Sequence, residues 1–267
     1  MEIITSRQNP AVVAAAKLAD KKYREQTGTF AFEGEKLFAE AVSAGLSLVR
    51  IFATETAYRK YEKLFRKVDM EKLTLVSEPV YEKLSFEKSP QGIFCVARIP
   101  AEKTCGTGSF VLLTDGVSDP VNFGALLRSA DAFGVDTVYA GGAGTDPYHP
   151  RGIRACMGSI FRICVRTEPD LSHRIRLLRE DGFRIYAAAL DAHAMDIRTA
   201  DLSGKIGFVI GNEGHGVSAP VLAACDGCVI IPMREGPQSL NAAVASGVVL
   251  WEAARGRLAA FRSGEHA

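Results

Sequence analysis

The sequence predicts an α/β protein in two parts, a C-terminal half built on a parallel sheet and a smaller N-terminal α/β module. Three observations carry that expectation. Apolar strand-like runs alternate with helical patterns along the whole chain, which favours parallel strands covered on both faces by helices. The alternation is interrupted near residue 100 by a polar, small-residue stretch running to Ser109, which reads as a linker. Finally, two late apolar runs each release a glycine-rich polar loop, GNEGHGVS at 211–218 and PMREGPQSLN at 232–241. Loops of that kind at strand ends form ligand sites along the carboxyl edge of an α/β sheet.

The N-terminal module spans 1–100, the linker 101–109 and the C-terminal domain 110–267. In the module the pattern predicts helices over 9–26, 34–44, 56–66 and 78–86, with strands at 29–33, 48–53, 72–76 and 93–98. In the C-terminal domain the run Phe110–Thr114 is a buried strand. The Asp119-Pro120 step behind it marks a turn whose proline suits a helix entry. A helix over 121–133 follows, with Leu126, Leu127, Ala130 and Phe133 at helical spacing. Further strands fall at 136–140, 162–166, 184–189, 206–210 and 228–231, and helices near 151–157, 170–181, 218–224 and 239–259.

The 267 residues allow a sizeable core, and 47% apolar with 24% charged residues is ordinary for a globular protein. No apolar run is long enough to span a bilayer. The N-terminus lacks a basic stretch ahead of an apolar core, so no signal peptide is expected. The expectation is a cytoplasmic protein with reduced thiols at Cys95, Cys105, Cys156, Cys164, Cys225 and Cys228. Cys225 and Cys228 form a CxxC with no second ligand pair, too few donors for zinc, so no metal is expected. The net charge of +1 gives no global sign of a polyanionic partner. Two local basic clusters, Lys17, Lys21, Lys22 and Arg24, and Arg59, Lys60, Lys63, Arg66 and Lys67, read either as solvated helix faces or as phosphate-tracking patches.

Few residues stand out as chemical groups. Asn122 sits in the first turn of the helix behind the first C-terminal strand, where its side chain can reach a ligand or cap the helix. Arg128 lies six residues on, about 600° of rotation away, so the two do not share a face. From the helix alone Arg128 reads as a guanidinium surrounded by apolar residues that snorkels from the flank or pairs with an acid such as Asp131. The loop at 211–216 lacks the spacing of a dinucleotide fingerprint and has no Lys-Ser or Lys-Thr of a phosphate loop. Within it Glu213 could cap a helix, bind an arginine or meet a cationic ligand, and His215 could be an acid–base group or an exposed loop residue. Ser239 and Asn241 are favoured helix caps. The small residues Ala242, Ala243, Ala245, Ser246 and Gly247 behind them require another backbone to pass close by.

In order and together, VNFGALLRSADAFG, IGFVIGNEGHGVS and IIPMREGPQSLNAAVASGVVLWEAAR resemble the three signature motifs of the SpoU (TrmH-type) RNA 2′-O-ribose methyltransferases of the SPOUT superfamily. The N-terminal ITSRQNP…KLADKKYREQTGTFAFEGEKLFAEAV is similar to the substrate-binding module of the ribosomal-RNA branch. The resemblance implies S-adenosylmethionine as cofactor, a deep trefoil knot formed by the last strands and helix, and a homodimer with the site near the subunit interface. It implies an RNA substrate, ribosomal RNA ahead of transfer RNA. Carried over residue by residue, Arg128 matches the catalytic arginine, Asn122 the asparagine of the first motif, Glu213 the glutamate of the second, and Ser239 and Asn241 the polar pair of the third. Gly211, Ile231 and Leu240 match backbone positions that hold the cofactor, and Leu190, Ile210 and Met233 complete that set.

The chain departs from the family pattern at Ala243, where a second serine is common, and at Val121 and Phe123, where glycine and valine are usual. None of these removes a polar catalytic position, so an active enzyme is expected. The rivals are a non-catalytic RNA-binding or ribosome-assembly protein on the same fold, and a nucleotide-dependent oxidoreductase using the glycine loop.

Overall fold

The computed structural model describes residues 3–100, 106–191, 193–234 and 239–257. The predicted linker therefore lies largely outside the described residues. The chain forms two units, one of Met1–Lys103 with Tyr148–Arg162, the other of Thr104–Pro147 with Ile163–Ala267.

The first unit opens with strand β1 (Ile3–Ile4) and helices α1 (Pro10–Ala16) and α2 (Lys21–Thr27), followed by β2 (Thr29–Glu33) and α3 (Glu35–Ser43). Next come β3 (Leu48–Thr54), α4 (Glu55–Lys60), α5 (Glu62–Phe65), β4 (Leu73–Val76), α6 (Glu78–Leu84) and β5 (Ile93–Arg98). The five strands form a mixed sheet in the order β1-β4-β3-β5-β2, with β5 antiparallel to both neighbours. Two long predicted helices are broken. The one over 9–26 stops in a 3-10 turn, and Asp20 begins a new helix by accepting from the Lys22 N–H at 2.7 Å. The one over 56–66 is interrupted at Tyr61.

Tyr148–Arg162 includes the short helix α8 (Pro150–Cys156) and packs within this unit, although the sequence pattern groups it with the C-terminal strands. The aromatic side chains of β2 explain the difference. Phe30 meets Tyr148 at 4.8 Å between ring centroids and Phe32 meets Phe161 at 5.1 Å, while Arg154 pairs with Glu87 and Arg162 with Glu40.

The second unit is built on β6 (Phe110–Asp115), α7 (Pro120–Ala132), β7 (Thr137–Gly141), β8 (Cys164–Glu168), α9 (Leu171–Glu180) and β9 (Arg184–Ala188). It continues with β10 (Met195–Asp196), β11 (Ile206–Gly211), α10 (Ala219–Ala224), β12 (Gly227–Ile230) and α11 (Ala242–Ala254). Its seven strands are all parallel, in the order β10-β12-β9-β11-β6-β7-β8. After β9 the chain crosses to the far side of that strand as β11, then returns to its near side as β12. All the carboxyl ends therefore face one edge. Gly207 of β11 leaves room for the side chains of its register partners on the flanking strands, since a Cβ there would come within 2.6 Å of both Ile185 and Val111.

Candidate active site

Asp119 starts α7 by accepting from the backbone N–H groups of Val121 at 2.7 Å and Asn122 at 3.0 Å, and Pro120 at the first position needs no partner. The cap places Asn122 at the carboxyl end of β6. The loop after β11 is shaped by Asn212, whose side-chain oxygen accepts from the N–H groups of Gly214 at 2.8 Å and His215 at 3.1 Å, an Asx turn. The Asn212 amide nitrogen donates to the Gly116 carbonyl at 2.8 Å and ties this loop to the one behind β6. Gly211 can only be glycine here, because a Cβ would lie 2.2 Å from the backbone of Gly216. Asp115, nearly buried, fastens the far end of the loop by accepting from the Ser218 N–H at 2.8 Å.

These constraints bring three distant side chains into one directed hydrogen-bonded chain. The Asn241 amide donates to the Asn122 side-chain oxygen at 3.0 Å, and the Asn122 amide donates to Glu213 Oε1 at 2.9 Å. Asn241 is itself the cap of α11, accepting from Ala243 at 3.0 Å and Val244 at 3.3 Å. Glu213 Oε2 also receives the Ser118 N–H and hydroxyl, each at 3.4 Å. Burial pushes the Glu213 carboxyl up, but the Asn122 bond and backbone N–H groups outweigh it and hold the group below its ordinary range. Glu213 is therefore an anionic acceptor at neutral pH. Each of the two amides keeps a second N–H with no described partner.

Arg128 stands apart from this chain. It is exposed, seven residues after Val121 on the same face of α7, and makes no hydrogen bond or ion pair with a described residue. The pairing with Asp131 weighed from the helix alone is absent, and its exposure removes the desolvation cost that reading supposed. Ser239 is exposed and precedes the helix; the cap is Asn241, because α11 begins at Ala242 rather than at 239. His215 is exposed and its ring meets Asn212 Oδ1 at 3.1 Å, a loop residue rather than part of the chain.

The remaining candidates mark the ends of three neighbouring strands. In register, Ala188 of β9 pairs with Ile210 of β11 and with Val229 of β12. Leu190, Gly211 and Ile231 thus stand one or two residues past a common level. Leu190 is 73% exposed and Met233 38%, large apolar side chains left open beside strand ends. The backbone of Ile231 and of Leu240 bonds to no other described residue. Exposed apolar side chains beside free backbone donors and acceptors suit an adenosine-bearing ligand.

Cys225 donates to the Val221 carbonyl at 3.2 Å, and burial pushes its thiol up to about 12, so it is a packed thiol. No metal-binding group occurs among the described residues. Sequence reasoning passed over Asp119, Asn212, Ser118 and Asp115, which position the named side chains; the Asp-Pro step and the Gly-Asn pair were the signals for two of them.

The profile of the SpoU rRNA Methylase family matches residues 109–251, and that of the MRM3-like substrate binding domain matches residues 9–95. The chain is 32% identical over 255 residues to the 23S rRNA (guanosine(2553)-2′-O)-methyltransferase RlmP of Bacillus subtilis, covering 94% of this chain and 98% of that protein. It is 39% identical over 153 residues to a tRNA (guanosine(18)-2′-O)-methyltransferase of Thermus thermophilus, covering 56% of this chain and 76% of the relative. The fold is similar to the crystal structure of AdoMet-bound rRNA methyltransferase from Sinorhizobium meliloti, with a TM-score of 0.85 and 28% identity over 97% of this chain and 99% of that one. A parallel α/β unit with a polar cluster on its carboxyl edge, together with an N-terminal α/β unit similar to a substrate binding domain over residues 9–95, defines the class. The chain belongs to the SpoU rRNA methylase family.

Proposed function

We propose that this protein is an enzyme that methylates a ribose 2′-hydroxyl of ribosomal RNA with S-adenosylmethionine as donor. The observation that carries the reading is the chain Asn241–Asn122–Glu213, which joins all three motifs at one edge of the sheet. Leu190, Gly211, Ile231, Met233 and Leu240 would hold the donor, with exposed Leu190 and Met233 flanking the adenine and the free backbone of Ile231 and Leu240 reading its edge, while Ile210, buried between β6 and β9, would support the floor of the site. When bound, the donor supplies an electrophilic methyl carbon on sulfur.

The protein's part is alignment and charge stabilisation. Arg128, with no hydrogen-bond or ion-pair partner among the described residues, would hold the RNA phosphate and stabilise the alkoxide as it develops on the ribose. A guanidinium stays protonated, so it acts as a cation and donor and not as a base. Asn122 and Asn241 would each offer the spare N–H to ribose or phosphate oxygen, with Glu213 fixing the direction of both. Ser239 would contribute its hydroxyl to the same edge.

The outward face beside Arg128 carries Val121, Val244, Val248 and Trp251, all more than a third exposed. Such a stripe is what a second copy of this chain would cover, and a homodimer would enclose Arg128. The crossing of β11 and β12 around β9 is where the trefoil knot would lie. No described helix is long and apolar enough to cross a membrane, and the place of action would be the cytoplasm.

The test uses RNA from a strain lacking this protein. Purified enzyme with radiolabelled S-adenosylmethionine is expected to label ribosomal RNA at a single 2′-O-methylnucleotide and to leave transfer RNA unlabelled. Label in transfer RNA alone would shift the substrate, and label in neither would overturn the reading.

A further inference from the structure

The first unit holds a cavity of about 270 Å³ that no part of the methyl-transfer reading uses. It lies between the start of α3, the loop after α6, and α8. Its size falls just below the ~300–1,000 Å³ of drug-sized ligand sites, and fits a single nucleotide better than anything larger. Its walls combine three kinds of group.

One kind presents a face. Phe86 is half-buried and braced by Phe94 at 5.4 Å between centroids. Opposite the loop, Met157 ends α8 in the left-handed conformation with φ 51°, and it is the one non-glycine residue with positive φ among the described residues. Glycine is the usual occupant of such a helix end. Strain held by a long thioether at a cavity wall points to use of the side chain.

A second kind presents fixed hydrogen-bonding edges. Gln91 Oε1 accepts from the Glu35 N–H at 3.0 Å, which fixes the amide and leaves its NH2 group without a described partner. Glu33 is locked by the Phe86 N–H at 2.6 Å, the Ser85 hydroxyl at 2.6 Å and the Tyr81 hydroxyl at 3.2 Å. A carboxylate so held retains one acceptor position.

The third kind is cationic. Lys36 and Arg151 line the cavity with no ion pair to any described residue, whereas Arg154 is already paired with Glu87. A bare phosphate would use the cations and leave the aromatic, thioether and amide groups idle.

We propose that this cavity is a binding subsite for one unpaired nucleotide of the RNA, its base against Phe86 and Met157 and its phosphate on Lys36 and Arg151. Splayed-out bases stacked on aromatic side chains and read along their edges are the usual route to single-stranded RNA recognition. The proposal rests on the reading that RNA is the substrate. It also gives the α8 segment a role, since that segment belongs to the stretch matched by the methylase profile yet completes a wall of the substrate-binding unit.

The test measures fluorescence anisotropy of short single-stranded homopolymeric oligoribonucleotides, and of a duplex of equal length, on the full chain at fixed salt. Lys36→Ala, Arg151→Ala and Met157→Gly are compared with the unaltered protein. The last relieves backbone strain, so lost binding there does not report unfolding. Each variant is expected to weaken single-strand binding about five- to tenfold, the scale of one stacked base, with duplex and S-adenosylmethionine binding unchanged. In methyl transfer, KM for RNA should rise while kcat holds. Unchanged oligonucleotide affinity in all three variants would overturn the proposal. So would inorganic phosphate competing as well as a nucleoside monophosphate, which would mark an anion site only. If the unaltered protein methylates no RNA but the variants still weaken single-strand binding, the enzymatic reading fails and this one stands.

Discussion

In the first unit Arg59 and Arg66 close on Glu55 and Glu62 one helical turn away, at 2.6 and 2.8 Å, whereas in the second unit Asn122 reaches Glu213 and Asn241 across 91 and 119 residues of sequence. The first arrangement is local and self-neutralising. Exposed pairs of this kind contribute only ~0.3–0.5 kcal/mol each, and they engage the two arginines of that cluster, while Lys60, Lys63 and Lys67 have no carboxylate partner among the described residues. Arg24 goes further: it is buried, donating to the Leu18 and Ala19 carbonyls at 2.7 and 2.9 Å, and so serves the fold. The second arrangement assembles groups that have no local reason to meet, and leaves spare donors. Clustering in sequence is thus a poor guide to a site here, and convergence in space a good one.

The sharpest way to break the contrast is Gly211→Ala. With a Cβ 2.2 Å from the Gly216 backbone, the loop cannot close. Thermal melts should show a loss above ~4 kcal/mol, the range of severe core mutations, and calorimetry should show no cofactor binding. Arg128→Ala comes next. Removing an exposed side chain with no partner among the described residues should leave the melting temperature within a degree or two and cofactor binding intact, while kcat falls about 10²–10³-fold, as for loss of one charge-stabilising donor. Undiminished turnover would end the role assigned to it.

Asn122→Ala and Asn241→Ala should each reduce turnover, and their effects should be non-additive in a double-mutant cycle because they act as one chain. Asn241→Ala should also cost about 1 kcal/mol in stability through the lost cap, which Asn241→Asp would restore. Independent effects would show that the chain does not act as a unit.

Glu213 gives a pH test. Its carboxyl lies below the ordinary value of 4.5, so its ionised form, and the order it imposes, is fully present above that value and is lost as pH falls through the depressed one. Cofactor affinity should hold through pH 4.5 and weaken below it, and Glu213→Gln should remove that limb. The smallest effect belongs to the first unit: Arg59→Ala or Arg66→Ala should change stability by less than ~0.5 kcal/mol and RNA affinity less than twofold. A large loss of RNA binding would show that the basic helices, despite their pairing, track phosphate.

Much of the second unit is legible from sequence because parallel strands buried on both faces read as apolar runs, and each ends in a recognisable turn. Asn122, Glu213 and Asn241 stand out individually as polar residues at strand ends, but their mutual bonds depend on the strand order, which local pattern does not encode. Helix breaks at Asp20 and Tyr61 escape because amphipathic spacing continues across them, although Asp20 is a good cap. The placement of Tyr148–Arg162 in the first unit escapes because it depends on Phe30 and Phe32 being open on β2. The two-residue strands β1 and β10 are too short to carry any alternation.

The central claim is that the cluster on the carboxyl edge, with Arg128 beside it, moves a methyl group to a ribose oxygen. Single-turnover methyl transfer to ribosomal RNA tests it, comparing the unaltered protein with Arg128→Ala at saturating cofactor and digesting the product with alkali. A 2′-O-methyl blocks alkaline cleavage, so the account predicts label in alkali-resistant dinucleotides from the unaltered protein and almost none from the variant. Label released as mononucleotides would place the methyl on a base, and equal rates from both proteins would take the chemistry away from Arg128; either result contradicts the account.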